Sequence, residues 1–359
     1  MATSSPAEWG RRLSDRLRAA LVAGDLEGAR RLALEGDGQA RSLAREYALM
    51  YKGLGITVRI LLDLLGDIVG RRAGGSEGPR RALEELLARF RRDFIALLRQ
   101  AYGDTAVEQA VGDSREPVGP PPAGELSLDL ARTARLLAEA ESLFTREQEG
   151  LAGEVVRALD AGDAARARAL VDQKEQGQYV PLHDRLIRFM AETFGYVFQQ
   201  FGPDELYRFH RATAEGQRQG FEKWERLTAA EFAQATAFLL KQHMGELEVL
   251  EDDEKFTVLQ RLCGSGGRLR LAGAYSGPLA LPLVTGPGAL TAGQATFPVY
   301  CSHCPVWNSV APVEWFGRPH WVFENPSRPD GSCTLHIYKR RDGAPAAYLR
   351  QLGLAGGVR

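Results

Sequence analysis

The chain has 359 residues, of which 44% are hydrophobic and 25% charged, a composition typical of soluble globular proteins with two or three domains. Its 45 basic and 46 acidic side chains leave a formal net charge of −1, so charge gives no reason to expect nucleic acid or an anionic membrane as a partner. The longest apolar stretch, 56–69, is interrupted by Arg59, Asp63 and Asp67 and is too short to span a bilayer. The first ten residues have no basic segment leading into an apolar run, so we expect no secretory signal and a cytoplasmic protein.

Helical periodicity dominates the first 250 residues. The first apolar stripe recurs every fourth residue, at Trp9, Leu13, Leu17 and Leu21. Similar spacing covers 44–68 and 83–98, and it resumes over 126–250. The proline-rich run 116–122 cannot continue a helix. The predicted organisation is an N-terminal helical module at 1–112, a linker at 113–125 and a second helical module at 126–252.

The two helical modules share a short motif. Ala23-Gly24-Asp25 recurs as Ala161-Gly162-Asp163, and the leucine, alanine and arginine residues around it also match. A glycine ends one helix, the aspartate caps the next, and the alanines allow close packing. The pattern predicts two related helical modules, and it makes them a candidate homodimer interface.

The sequence changes character after Glu254. Short β-strand patterns lie at 256–262, 297–300, 321–323 and 334–338, and we expect 268–275 to return as a hairpin partner of the first strand. The many glycines in 264–293 predict a long loop. We therefore predict an α+β fold, with two related helical modules followed by a small β-rich, zinc-binding domain at 253–359.

All four cysteines of the chain, Cys263, Cys301, Cys304 and Cys333, lie in this last domain. In a cytoplasm they stay reduced, which favours metal binding or catalysis over disulfides. A CxxC pair presents two thiolates to one ion, and two further cysteines complete a tetrahedral zinc site. The alternatives are unliganded cysteines, a redox pair at Cys301 and Cys304, or a histidine or carboxylate in place of one thiolate.

The run Gly264-Ser265-Gly266-Gly267-Arg268 follows Cys263 directly. Clustered glycines let backbone N–H groups converge on an anion, and Arg268 could then clamp a carboxylate. These five residues are therefore candidates for substrate binding, and Cys263 is a candidate nucleophile if it does not bind metal. A tight turn explains the same run without any ligand.

Three titratable residues near the cysteines, His303, Glu314 and His320, are candidates for acid–base catalysis. Trp315 and Trp321 lie beside them in the sequence, as in many small-molecule pockets. An open coordination position on the zinc would allow one of the three to activate bound water. The same residues also suit the packing of a small sheet.

The order of features in this domain, a strand ending at Cys263, a later cysteine pair and a strand beginning Gly331-Ser332-Cys333, resembles the four-vinyl-reductase-like domains and the related L-2-amino-thiazoline-4-carboxylate hydrolase-like proteins. The resemblance implies an α/β small-molecule-binding domain in which cysteines and a glutamate hold zinc. In this chain it implies Cys301 or Cys304 together with Cys333 as ligands, and Glu314 as a candidate fourth.

The leading functional prediction is a zinc-containing, hydrolase- or lyase-like enzyme. It would hydrolyse or rearrange a C–N or C–S bond in a small polar metabolite that carries a carboxylate. One alternative is a non-catalytic sensor or interaction scaffold with a structural zinc bound by four cysteines. A second alternative is a redox protein that uses the CxxC pair. Zinc coordination separates them, because an open site favours chemistry and four thiolates favour a structural role.

Overall fold

The structure is a computed structural model that describes residues 5–72, 77–112 and 126–354. It is mostly helical with a small antiparallel sheet in the C-terminal part, so the predicted α+β class is confirmed. The predicted linker at 113–125 lies outside the described residues. Within these ranges, none of the helices combines the length and the apolarity that crossing a membrane requires.

The α-helices of the described ranges are α1 (Pro6–Trp9), α2 (Leu13–Val22), α3 (Leu26–Glu35), α4 (Ala48–Arg72), α5 (Glu77–Tyr102), α6 (Asp104–Val111), α7 (Leu126–Asp160), α8 (Ala164–Asp172), α9 (Val180–Phe201), α10 (Pro203–Gly216), α11 (Arg218–Glu225), α12 (Ala229–Gln242), α13 (Gly266–Leu271), α14 (His303–Pro305), α15 (Ala311–Phe316) and α16 (Ala346–Gln351). The strands are β1 (Glu246–Glu251), β2 (Lys255–Leu262), β3 (Leu283–Thr285), β4 (Thr296–Pro298), β5 (Val322–Glu324) and β6 (Cys333–Tyr338). Short 3₁₀ segments cover Leu43–Arg45, Ala289–Thr291 and Val299–Ser302, and π-helical segments cover Gln173–Tyr179 and Val306–Val310.

The chain separates into two compact units. We call residues 11–189 the helical unit, and residues 5–10 together with 190–354 the mixed unit.

The repeated motif has the same local geometry in both of its copies, which lie in the helical unit. Gly24 and Gly162 both adopt a φ of +74°. Asp25 and Asp163 each accept a hydrogen bond from the backbone N–H three residues further on, at 2.8 and 2.9 Å, and so cap α3 and α8. The predicted arrangement of glycine stop and aspartate cap is confirmed at both positions. The relation between whole modules stays a prediction.

Amphipathic helices build the core of the helical unit. The stripe predicted over 83–98 is buried on α5, where Leu83, Leu87, Phe90 and Leu98 have no exposed surface. Helices α4 and α5 both pack on the long helix α7, while α2 packs on α8 and α3 on α7. Each helix therefore gains its stability from a buried apolar face rather than from its isolated propensity.

The mixed unit is organised around a four-stranded antiparallel sheet with the order β1-β2-β6-β5. Phe256 pairs with Ile337 and Val258 with Leu335, and all four side chains are buried. Helices α1 and α12 contact this sheet, and Trp9 packs against Phe256 with 5.7 Å between ring centroids. Strands β3 and β4 form a separate two-stranded sheet. The strands predicted at 256–262, 321–323 and 334–338 are confirmed within one residue at their ends.

The chain between 243 and 251 differs from the expected helix. Helix α12 ends at Gln242, Met244 adopts a φ of +63°, and Glu246–Glu251 forms strand β1 beside β2. The pairing with β2 satisfies the backbone of this segment and overrides its helical periodicity. Only Val249 of β1 is buried, and the acidic residues lie along an edge strand, where charge discourages pairing with other chains.

The segment predicted as a hairpin partner, 268–275, is also different, because it begins inside helix α13. A Cβ atom at Gly264 would lie 1.9 Å from the His243 carbonyl oxygen, and one at Gly267 would lie 2.2 Å from the Gly331 carbonyl oxygen. These close approaches turn the chain away from the sheet immediately after β2. The region 264–293 is accordingly not one long loop, since it contains α13 and β3.

Candidate functional site

The mixed unit gathers the four cysteines from three separate segments of the chain. Cys263 follows β2, Cys301 and Cys304 lie in the helical turn 299–305, and Cys333 is the first residue of β6. The backbone N–H of Cys263 donates to the Gly331 carbonyl at 2.9 Å, which holds the end of β2 beside the start of β6. All four are free thiols. We call these four side chains the cysteine cluster.

The pKa values of three members of the cysteine cluster are raised by burial and by their neighbours. Burial raises the pKa of Cys301 to about 11 and that of Cys333 to about 12, and it raises the pKa of Cys304 well above its usual range. A charge on Cys263 raises all three pKa values further, and Cys301 acts in the same way on Cys304 and Cys333. Burial and the neighbouring thiols therefore both oppose the ionisation of Cys301, Cys304 and Cys333.

The donor set of the cysteine cluster fits zinc, which prefers four soft thiolates in a tetrahedral arrangement. Among the described residues, no three His, Cys, Asp or Glu side chains form a group that could hold a metal ion as they stand. The predicted ligands Cys263, Cys301, Cys304 and Cys333 therefore stay a prediction.

Two further groups surround Cys301. Arg270 of α13 donates from Nη1 to the Cys301 Sγ at 3.3 Å. A Cβ atom at Gly266 would lie 2.7 Å from the same sulfur, so only glycine fits at this position. Two of the three glycines in the predicted substrate-binding run, Gly264 and Gly267, lie against backbone carbonyls instead. Close packing around the cysteines is therefore sufficient to explain the glycine run, and its role in substrate binding stays a prediction.

The other two members of that run, Ser265 and Arg268, lie at the start of α13 and are half-buried. The Ser265 hydroxyl lies 3.7 Å from the Cys263 Sγ, within hydrogen-bond reach of a sulfur atom. The backbone N–H of Arg268 donates to the Cys263 carbonyl at 3.1 Å. Both residues thus belong to the turn that carries Cys263.

His303 lies between the two cysteines of the CxxC pair and contacts one of them. Its Nδ1 is bonded to the Tyr300 carbonyl, which can only accept, so Nδ1 carries the proton. Its Nε2 is then an acceptor for the Cys304 thiol, 3.5 Å away. Burial lowers the pKa of His303 to about 4, which keeps the ring neutral near pH 7. His303 can therefore accept a hydrogen bond from the Cys304 thiol, but its lowered pKa makes it a poor acceptor for the proton itself.

A buried aromatic cluster packs around His303. The rings of Phe194, His210 and Trp307 lie within 4.5–6.4 Å of His303, measured between centroids. His210 is fully buried and its Nε2 is bonded to the Ser302 hydroxyl at 2.8 Å, while that hydroxyl donates to the Val299 carbonyl. This chain of hydrogen bonds fixes the helical turn that presents Cys301 and Cys304.

His320, the second predicted acid–base residue, belongs to a charged network. Its Nε2 donates to Glu225 at 3.1 Å, and Arg318 and Arg341 contact the same carboxylate. Burial lowers the pKa of His320 to about 4, although Glu225 raises it in part. The ring is stacked on Phe316, with 5.4 Å between centroids. The pocket beside it has a volume of about 20 Å³, enough for a water molecule.

Glu314, the third predicted acid–base residue, is on α15 and forms an ion pair with Arg211, whose guanidinium lies 5.5 Å from the Trp315 ring centroid. Its side chain is 43% exposed. Within the described residues, no hydrogen-bond partner is shared among the three predicted residues His303, Glu314 and His320. The aromatic rings that contact His303 also differ from those that contact His320. The structure therefore places the three predicted residues in three separate environments.

We compared the chain with protein-family models, with curated proteins and with solved structures. None of the three comparisons found a match. The resemblance to four-vinyl-reductase-like domains accordingly stays a prediction, as does the implied glutamate ligand.

A second polar cluster, in the helical unit, was not predicted from the sequence. It surrounds Glu175, and we call it the Glu175 cluster; its members are Arg12, Ser14, Arg18, Glu46, Tyr47, Lys174 and Glu175. The Glu175 carboxylate accepts from the Ser14 hydroxyl at 2.6 Å, from the Tyr47 hydroxyl, and from Arg18 at 3.2 Å. Lys174 and Glu175 lie on the π-helical segment Gln173–Tyr179. The sequence contains a signal that could have revealed this cluster, because the charged residues Lys174 and Glu175 interrupt an apolar helical stripe.

Opposite charges shift one another's pKa values within the Glu175 cluster. Burial alone would raise the pKa of Glu175, but Arg12, Ser14 and Tyr47 together lower it to about 2. Burial lowers the pKa of Lys174 to about 8 and raises that of Glu46. The Lys174 Nζ has no hydrogen-bond partner in the described part of the chain, and it lies 4.7 Å from the Tyr47 ring centroid.

Proposed function

We propose that this protein is a zinc-stabilised small-molecule-binding protein whose four cysteines hold one zinc ion in a closed site. The observation that carries the proposal is the gathering of four reduced thiols from three segments, the end of β2, the turn 299–305 and the start of β6. Bound zinc would join these segments, and it would take the place of the thiol protons. A closed site of four thiolates has no position for substrate, so its role would be structural.

The separate environments of the predicted acid–base residues favour binding over catalysis. His303 is bonded within the cysteine turn, His320 to Glu225, and Glu314 to Arg211. A catalytic zinc would need an open coordination position with one such group beside it. The enzyme hypothesis, hydrolysis or rearrangement of a C–N or C–S bond, therefore stays the alternative and requires an open site.

A cleft in the mixed unit supports the binding of a small molecule. It has a volume of about 430 Å³, within the range usual for ligand pockets. One wall is formed by Tyr207 and Arg208 on α10, and the other by the glycine-rich segment 284–290. The aromatic and guanidinium groups offer stacking and hydrogen bonding beside the apolar side chains of the cleft.

The test is the metal content of protein purified without chelator, for the wild type and for the double variant Cys301→Ser, Cys304→Ser. We expect one zinc per wild-type chain and none in the double variant. Thr334→Ser, which alters the neighbour of Cys333 but no ligand, is the matched control and should retain zinc. Metal-free wild-type protein that forms a reversible disulfide between Cys301 and Cys304 would instead support the redox alternative.

A further inference from the structure

We infer that Arg270 is a positioning residue for the zinc site, donating a hydrogen bond to the sulfur of Cys301 while that sulfur binds the metal. The inference rests on the proposed zinc site. Arg270 would touch the ligand and not the metal, so its effect would be on the affinity and the reactivity of the bound thiolates.

The guanidinium group of Arg270 is fixed from two sides. Its Nε donates to the Arg328 carbonyl at 3.1 Å, and its Nη2 lies 3.4 Å from the Ser332 carbonyl. Both carbonyls belong to the loop that leads into Cys333. The remaining nitrogen, Nη1, is thereby directed at the Cys301 Sγ, 3.3 Å away. The planar fork of arginine makes such a fixed, three-way arrangement feasible, whereas lysine would supply one point of contact.

Gly266 makes room for this contact. It lies one helical turn before Arg270 on α13, so the two residues share a helix face. A Cβ atom at Gly266 would lie 2.7 Å from the Cys301 Sγ and 3.4 Å from the Arg270 Nη1. A methyl group at this position would therefore displace the sulfur or the guanidinium. The glycine allows α13 to bring Arg270 next to the cysteine.

The hydrogen bond from Arg270 to Cys301 also compensates negative charge at the proposed zinc site. Zinc bound by four thiolates carries a net charge of −2, because four negative sulfurs surround one dication. Cys301 is buried, and an uncompensated charge is costly to bury. Arg270 supplies a positive charge and a charge-assisted hydrogen bond at one sulfur. A thiolate that accepts such a bond should also react more slowly with electrophiles, because its lone pair is engaged.

The experiment measures zinc affinity by competition with a chromophoric chelator, together with the rate at which iodoacetamide alkylates the zinc-loaded protein. We expect Arg270→Gln to weaken zinc binding by about 10- to 100-fold and to accelerate alkylation. Arg270→Lys should fall between Arg270→Gln and the wild type, and Gly266→Ala should weaken zinc binding without removing a charge. Arg261→Gln is the control, because Arg261 lies two residues from Cys263 but its side chain is 68% exposed.

Unchanged zinc affinity and alkylation rate in folded Arg270→Gln would overturn the inference while leaving the zinc site in place. If Arg270→Gln does not fold, Arg270→Lys decides by the same two measurements, and wild-type behaviour in that variant would overturn the inference. Wild-type protein that binds no zinc in the chelator competition would overturn the proposed function itself, and the inference with it.

Discussion

The molecule contains two buried polar clusters, and they are stabilised in opposite ways. In the Glu175 cluster, arginine, lysine, serine and tyrosine side chains compensate the carboxylates from within the chain. The cysteine cluster consists of four thiols from three segments of the chain, and Arg270 donates a hydrogen bond to one of them. The comparison shows that the carboxylates of the Glu175 cluster are compensated from within the chain, whereas the proposed zinc would compensate the thiolates of the cysteine cluster.

The largest change in stability is expected when the proposed zinc ion is removed. Zinc bound as we propose would favour the folded site over the separated cysteines, so it should stabilise the protein by mass action. We expect a strong chelator to lower the Tm of the wild-type protein, and added zinc to restore it. The variant Cys333→Ser should already have the low Tm and should not respond to chelator. Equal Tm values for the wild type with and without chelator would remove the contrast between the two clusters.

Breaking the Glu175 cluster should also be strongly destabilising. The variant Glu175→Gln removes the buried carboxylate that Arg12 and Arg18 share but leaves both paired with Asp15. Breaking a buried pair costs about 3–5 kcal/mol, and the remaining pairs with Asp15 should offset part of that cost. Asp172→Asn is the matched control, since Asp172 contacts Arg18 from a side chain that is 47% exposed. It should lower the free energy of unfolding by less than about 1 kcal/mol. Urea titration of both variants measures the difference, and equal losses would contradict a special role for Glu175.

Lys174 should make stability depend on pH in an alkaline window. Its pKa is about 8 in the folded protein, against 10.5 as its ordinary value, so between pH 8 and 10 the unfolded chain binds more protons. The free energy of unfolding should therefore rise with pH in this window, by up to about 1.4 kcal/mol per pH unit. Lys174→Met should flatten the slope. Urea titrations at several pH values provide the measurement, and a slope that persists in the variant would assign it to another group.

Glu175 should make the free energy of unfolding depend on pH under acidic conditions. Its pKa of about 2 lies below the ordinary value of 4.5, so its stabilising effect is complete above about pH 4.5 and is lost as the pH falls towards 2. Stability measured between pH 5 and 3 should fall in the wild type and fall less in Glu175→Gln. Parallel acid curves for the two proteins would show that Glu175 is not the group that titrates.

The smallest effect is expected at Glu314. Its ion pair with Arg211 is partly exposed, and such pairs contribute about 1 kcal/mol or less. Glu314→Ala should therefore change the free energy of unfolding only slightly and should leave one zinc per chain. Loss of zinc from this variant would make Glu314 a ligand, as the family resemblance implies, and would contradict a site closed by four thiolates.

The sequence predicted the features that depend on local pattern. Alternation at 256–262 and 334–338 corresponds to strands β2 and β6, and the repeated glycine and aspartate correspond to real helix caps. Segment 246–251 was assigned wrongly, because its acidic and apolar residues fit a helix and only pairing with β2 makes it a strand. Non-local pairing of this kind is invisible to periodicity.

The sequence shows the cysteines of the candidate site but not what surrounds them. The spacing of Cys301 and Cys304 is a local signal, so it could be recognised in the sequence. Arg270 contacts a sulfur 31 positions away, and its other partners lie in the loop before Cys333. Glu175 meets Tyr47 and Ser14 across even longer separations. Only the folded chain brings these groups together.

The most direct test of the account is X-ray absorption at the zinc edge on the purified wild-type protein. The account predicts four sulfur neighbours at about 2.3 Å and no light-atom ligand. A coordination shell that contains nitrogen or oxygen would contradict a closed site and would favour the enzyme alternative. Protein without zinc would contradict the central claim.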